Sequence, residues 1–397
     1  MRDLNLLFRH REFLFLLLGN AILGMGYSLT LPFMSVFGTR ELGLGPAGFG
    51  LFMTVNVITG IFISTRIAKW SDIRYSRKAV MLVSSAFGAV GYLLYAYERD
   101  VRILLPAGCV TLGIAGVTFS QTFAYARDLL VRHGAAEADY PFYINIFRLF
   151  YALSWTIGPA IGARILEAHG FRGTFLATAT LFALFGLVVA IGVRHDPPSA
   201  QARAAVAALP LSKAIRLPGF AAHFCAFVLI LSCSTMGMMN LPLLILETLG
   251  GRASQVGAAY SIAPIFELPF MYFVGLWATR VPTVRIVRWA ALLSIVYYGC
   301  LASAQAPWQI YPLQAISAAL VAVYSGIAIS FFQDFLPGQS GTSSNLYGTA
   351  GRIGATAGYL LFGWLGSSLG YRWVFAACAG FCALAWMIMW RWRQRPA

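Results

Sequence analysis

Apolar residues in this chain come in long, even runs. They show neither the alternation of half-buried strands nor the one-sided stripe of surface helices. Runs of spanning length, bounded by charges or by Gly/Pro clusters, lie near 13–38, 48–70, 79–97, 102–126, 141–166, 172–194, 219–246, 253–279, 284–303, 308–334, 341–369 and 371–392. A segment in lipid must satisfy its own backbone, and these are too long and too uniformly apolar for barrel strands. Each therefore predicts a transmembrane helix. The expected fold is all-α and integral to the membrane, with twelve helices. The first run reads as a span and not as a removed signal peptide, because no small-residue cleavage site follows its basic start.

The longest polar stretch, "RHDPPSAQARAAVAALPLSKAIRLPG", follows the sixth run. It divides the chain into a bundle at 1–193, a cytoplasmic linker at 194–218 and a bundle at 219–397. The middle of the linker reads equally as a short amphipathic helix on the inner membrane surface or as a disordered linker. The halves repeat. Gly50 and Gly257 open corresponding runs, Ala68 and Gly275 follow, then Asp72 and Thr279. "YARD" ends the fourth run and "FFQD" the tenth; "GFRGTF" and "GYRWVF" join the last two runs of each half. Six plus six with a weak repeat is the pattern of a secondary transporter whose site lies near the midplane between halves.

Composition agrees. The chain has 397 residues, 59% hydrophobic and 11% charged, against roughly 25% charged in soluble domains. The net charge of +15 suggests nucleic acid at first. The basic residues, however, stand singly between apolar runs and sort by side. Arg66, Lys69, Arg74, Arg77 and Lys78, then Arg127 and Arg132, Arg194 to Arg216, and Arg280, Arg285 and Arg288 fall on one side, with both terminal groups. The other side holds only Arg40, Arg99, Arg102, Arg164, Arg172, Arg252 and Arg372. That bias puts both termini in the cytoplasm and explains the charge without nucleic acid. The six cysteines lie inside apolar runs and read as free thiols. The five histidines are scattered, and no metal, phosphate-loop or nucleophile motif appears, so an enzyme has no support.

"AKWSDIRYSRKAV" resembles the signature loop between the second and third spans of the major facilitator superfamily, with Ala68 where the family prefers Gly and one extra residue before Arg77–Lys78. Within it, "LPFMSVFGTRELG", "GLFMTVNVITGI", "FRLFYALSWTIGPAIG", "ELP" and "FFQDFLPG" resemble the sugar efflux transporter family along nearly the whole chain. The resemblance implies a major facilitator fold of two pseudo-symmetric six-helix bundles. It also implies export of sugars or sugar-like compounds, coupled to protons.

Glu267 sits at mid-run between Pro264 and Pro269, sharing a helix face with Tyr260 and Met271. A carboxylate costs at least about 2.5–3.5 kcal/mol at the bilayer centre, so a proton carrier or substrate acceptor is favoured over a structural bond to a neighbouring helix. Arg148, on a stripe with Asn145 and Trp155, and Arg352 need a partner or water. They read as substrate donors, as partners for Glu267, or as snorkelling cations. Asn20, Tyr27, Asn56, Gln121, Tyr125, Ser232, Asn240, Gln314 and Tyr324 are candidates to read sugar hydroxyls; for each, an interhelical bond is the plainer reading. Asn240 stands where the resembled family often has an acid. Asp72, by the resemblance, would latch to the helix start at "GQSGTSSN", with Asp128 and Asp334 as equivalent gating ends beside Arg77. "GPAIG" resembles the fifth-span motif of proton–drug antiporters, or is ordinary packing.

The expectation is a monomeric exporter in the cytoplasmic (inner) membrane, without cofactor or metal, that takes a sugar and protons as its ligands. A multidrug exporter of the same fold is the alternative, then a facilitator without protons. A membrane receptor would bind without flux.

Overall fold

The computed structural model describes residues 10–73, 75–134, 139–194, 211–336 and 339–392. They form helices throughout, with no strand among the described residues. Ten of these helices are long and apolar enough to cross a membrane. One of the ten, within Tyr140–Gly192, holds two predicted spans. It turns at Gly170, whose φ of 64° is open to glycine and strained for other residues. The eleventh predicted span is the helix Ser340–Ser368, 29 residues rich in Gly, Ser and Thr and outside those ten. The architecture is thus consistent with twelve spans.

The chain forms two compact units. The first comprises residues 1–33 and 55–204, the second 34–54 and 205–397. In the first unit, α1 (Arg11–Thr30) lies along α6 (Tyr140–Gly192). The helix α2 (Gly45–Ile73) contributes its later part, and α3 (Arg77–Tyr97) packs on α6 and on α4 (Val101–Ala115) and α5 (Val117–Arg132). Two starts are set by side-chain caps. Ser76 Oγ accepts from the Ala79 N–H at 3.2 Å, and an Asp100 carboxylate oxygen accepts from the Arg102 N–H at 2.8 Å, each satisfying an orphan donor of the first turn. Tyr92, Phe175 and Phe182 stack in the core, with ring centroids 5.4–6.2 Å apart for Tyr92 against the two phenylalanines. The "GPAIG" glycines make the α1–α6 contact. A Cβ on Gly162 would lie 2.5 Å from the Leu29 carbonyl, so this motif is a packing surface here.

In the second unit, a single helical turn α7 (Leu211–Ala214) precedes α8 (Phe220–Leu243). The rest of the linker, 195–210, lies outside the described residues. Then follow α9 (Ala253–Ala278), α10 (Thr283–Ser303), α11 (Ile310–Ala322), α12 (Ala328–Asp334), α13 (Ser340–Ser368) and α14 (Tyr371–Arg391). The helix α8 packs on α13 and α14, α10 packs on α14, and α9 packs on α11. Phe227 anchors this core against Phe331 at 5.4 Å and Phe332 at 5.1 Å. All six cysteines are free, with Cys225 and Cys300 exposed and the others buried.

The repeat read in the sequence has structural counterparts. Both α3 and α10 are 21 residues long. The helical path after α1 ends in a π-helical turn, Phe37–Glu41, and so does that after α8, Leu244–Thr248. Gly370 turns the chain between α13 and α14 with φ 86°, as Gly170 does within α6. A third π turn, Val323–Ile327, joins α11 to α12.

Candidate transport site

The helix α9 runs unbroken through Pro264 and Pro269. Neither proline has an N–H, so the carbonyls of Tyr260 and Ile265 lose their usual helical donors next to Glu267. Tyr260 ties α9 to α8 by donating its hydroxyl to the Met238 carbonyl at 2.6 Å. Pro264 and Val274 are buried, and Tyr260, Glu267 and Met271 are half-buried on the same stripe. Ile265, Phe266, Tyr272 and Phe273 on the other sides are exposed. Glu267 therefore lies on the face that its helix turns toward the packed side. Only 11% of the α9 span is buried, against 61% for the span containing α8. The corresponding span of α2, at 22%, is the next least covered. Among those ten spans, these repeat-related helices are the least buried.

The charged helix ends also pair by the repeat. Arg77 Nε meets Asp128 Oδ2 at 2.5 Å, and Arg77 Nη1 reaches Gln121 Oε1 at 3.3 Å. In the second unit the Thr283 hydroxyl donates to Asp334 Oδ2. Both contacts join residues 51 positions apart, so they are the same contact in two copies, with an ion pair in one and a neutral donor in the other. Asp72 falls in the last turn of α2, and its side chain lies outside the described residues.

Most neutral candidates sit in helix contacts. Asn20 is fully buried and donates to the Phe147 carbonyl; Asn240, equally buried, donates to the Tyr371 carbonyl at 2.7 Å. Ser232 bonds back to Val228 O at 2.7 Å within its own helix. Gln121 and Tyr125 are buried in the first unit, with the Tyr125 hydroxyl reaching the Arg194 carbonyl at 3.4 Å. Tyr27 makes a 3.4 Å bond to Ala115 O. These groups have their polar atoms covered by protein in this structure. Asn56 and Trp155 are half-buried, and Asn145, Arg148 and Arg352 are exposed, with Arg352 Nη2 held 3.0 Å from Thr349 Oγ1.

Tyr324 belongs to a different surrounding. A cavity of about 190 Å³ opens within the second unit between α8, α10, α11 with its π turn, and α13. Tyr297 and Ser294 face it from α10, Ser317 and Tyr324 from α11 and the π turn, and Tyr347 from α13. Among the described residues no charged side chain lines it. Gln314, a turn from Ser317, is buried and donates weakly to Ile310 O at 3.4 Å. Apart from Tyr324, the hydroxyls of this cavity were not singled out in the sequence. Their signal was there as spacing: Ser317, Val321 and Tyr324 fall on one helical stripe, and Ser294, Tyr297 and Tyr298 on another.

The family model of the Major Facilitator Superfamily matches residues 16–240 and 222–397. A Deinococcus radiodurans protein that bears the provisional name of sugar efflux transporter is 31% identical over 381 residues, covering 94% of this chain and 96% of the relative. Sugar efflux transporter A of Dickeya chrysanthemi is 28% identical over 371 residues, covering 94% and 93%. The crystal structure of the nucleoside transporter NupG superposes with a TM-score of 0.77 over 96% of this chain and 99% of that one. At 14% identity this is a likeness of fold alone.

Proposed function

This chain belongs to the major facilitator superfamily, and we propose that it exports sugars or sugar-like small molecules in exchange for protons. It is a multi-pass membrane transporter and not an enzyme. The proposal places the division between two six-helix bundles at the linker 194–218, both termini in the cytoplasm of a cell with an inner membrane, and the working unit as a monomer. The cavity lined by hydroxyls and by no charge carries the substrate reading, since a neutral polyol is the solute such walls suit. Names of relatives that align nearly end to end support it.

Glu267 is the proposed coupling acid. Ionised, it needs water or a donor; protonated, it is neutral and costs far less in the apolar layer. Proton uptake from the outer side and release to the cytoplasm then bias alternating access in the direction of export. Arg148, Asn145 and Arg352, exposed here, and the half-buried Trp155 and Asn56 are proposed to meet substrate in part of the cycle. Asn20, Tyr27, Gln121, Tyr125 and Asn240 would join only if helices part. Asp72, Arg77, Asp128 and Asp334 are proposed as gating ends. One observation favours the multidrug alternative: Phe266, Tyr272 and Phe273 are exposed aromatics beside the one carboxylate of α9.

Efflux from vesicles containing the purified protein, with hexoses and an ethidium-like cation as competitors, tests the reading. Hexoses should compete. Competition by the cation alone would transfer the chain to the drug exporters.

A further inference from the structure

Four tyrosines and four serines line the cavity of the second unit. Several of their protons are already committed to the protein. Ser294 Oγ lies 2.9 Å from its own helix carbonyl at Ala290, and Ser325 Oγ lies 2.7 Å from Val321 O. Tyr347 donates its hydroxyl to the carbonyl of Tyr324, a residue of the π turn, where the ordinary helical ladder is interrupted. With Ser294 donating to Ala290, the Tyr324 hydroxyl, 3.0 Å away, donates to Ser294. Each of these four hydroxyl oxygens keeps lone pairs to offer, so this part of the wall accepts hydrogen bonds more than it gives them.

These four favour an occupant that brings O–H donors and no charge. An anion would find no cation on these walls, and an ammonium no carboxylate. The remaining lining, including Ile230, Leu231 and Leu320, is aliphatic and suits the C–H face of a ring. At about 190 Å³ the space falls below the roughly 300–1,000 Å³ of drug-sized sites. Ser234 and Val321 of its lining are exposed.

We infer that this cavity is a binding site for one neutral sugar ring, with Tyr324 and Ser294 accepting from its hydroxyls. The inference rests on the sugar reading above and adds a place to it. Ser294, Tyr297 and Ser317 become specificity residues. The ring sits behind the π turn, inside one unit.

Calorimetric titration of the purified full-length protein with D-glucose, D-galactose and the monodeoxy forms of each tests it. The wild type should bind at least one hexose and lose about tenfold in affinity for one deoxy form, the worth of one hydrogen bond. Tyr324→Phe and Ser294→Ala should each lower hexose affinity about tenfold and bind that deoxy form as tightly as the parent sugar. A loss of packing alone would leave the ranking unchanged. Ser317→Leu, melting like the wild type, should abolish binding by filling the space. Wild-type affinity and ranking in Tyr324→Phe and Ser294→Ala would overturn the site while leaving sugar export standing. A wild type that binds neither hexose would remove the sugar reading and this site together.

Discussion

Arg40 and Glu247 hold the same place, the fourth, in two π-helical turns related by the repeat, and their side chains pair at 2.6 Å. Each ends the helical path of its half's first span. The residues 34–54 that carry Arg40 are part of the second unit, so the pair ties the end of one repeat's first helix to the end of the other's.

The pair is largely exposed, at 51% and 36%, and such pairs contribute up to about 1 kcal/mol. Arg40→Glu should raise the labelling of a cysteine placed at Thr248 up to about fivefold, and less at high salt. Exchanging both charges, Arg40→Glu with Glu247→Arg, should restore the wild-type rate. Unchanged labelling in the single variant would show that the pair holds nothing.

A second tie in the same unit is steric. A Cβ on Gly50 would lie 2.5 Å from the Tyr359 carbonyl and 2.9 Å from Gly363 Cα, backbone atoms that cannot swing aside. Gly50→Val should cost about 1–3 kcal/mol of stability, read as a lower melting temperature. Gly275→Ala, in open space on α9, should melt like the wild type.

The repeated contact at the helix ends is unequal. Asp128→Asn weakens a charge-assisted bond to Arg77, whereas Asp334→Asn touches a bond from a neutral hydroxyl. Both bonds end on a carboxylate and are charge-assisted, but only Asp128 also faces a cation, a pair discounted because Asp128 is a third exposed, and Asp334 is the more exposed of the two. Asp128→Asn should therefore lower the melting temperature more than Asp334→Asn does. The reverse order would deny the ion pair its role.

His133 follows α5, outside the spanning segment, and stacks on His10 with ring centroids 3.8 Å apart. Desolvation first, then the neighbouring His10, depresses its pKa below the ordinary value. The folded protein thus prefers a neutral His133. Its contribution is present above the unfolded value of about 6.5 and is lost as pH falls below it, toward the lower folded pKa. Melting temperature should drop on acidification through that window, and His133→Gln should flatten the drop. An equal slope in the variant would assign the pH response elsewhere.

The spans were legible because lipid imposes length and apolarity on every one of them. The divide within α6 was legible too, because "HGFRG" carries the glycine that the turn at Gly170 uses. The π turns were not, since a shift in hydrogen-bond register leaves no mark in hydrophobic periodicity. Arg40 reads as an outer-side charge, and nothing in the sequence joins it to Glu247, 207 positions away. Asn20 and Asn240 attract attention as polar groups in lipid, yet a lone amide there is as readily a helix contact, and both are. The serine and tyrosine stripes of α10 and α11 passed as packing because no single member is costly to bury.

Sugar accumulation driven by an imposed pH gradient is the most direct test of proton-coupled export. Vesicles bearing the purified protein, given a hexose that the titrations show to bind, should move it against its concentration gradient when protons flow the other way. Vesicles with Glu267→Gln should only equilibrate it. Movement against the gradient in Glu267→Gln at the wild-type rate, or no proton-driven movement in the wild type, would contradict Glu267 as the acid that couples protons to sugar.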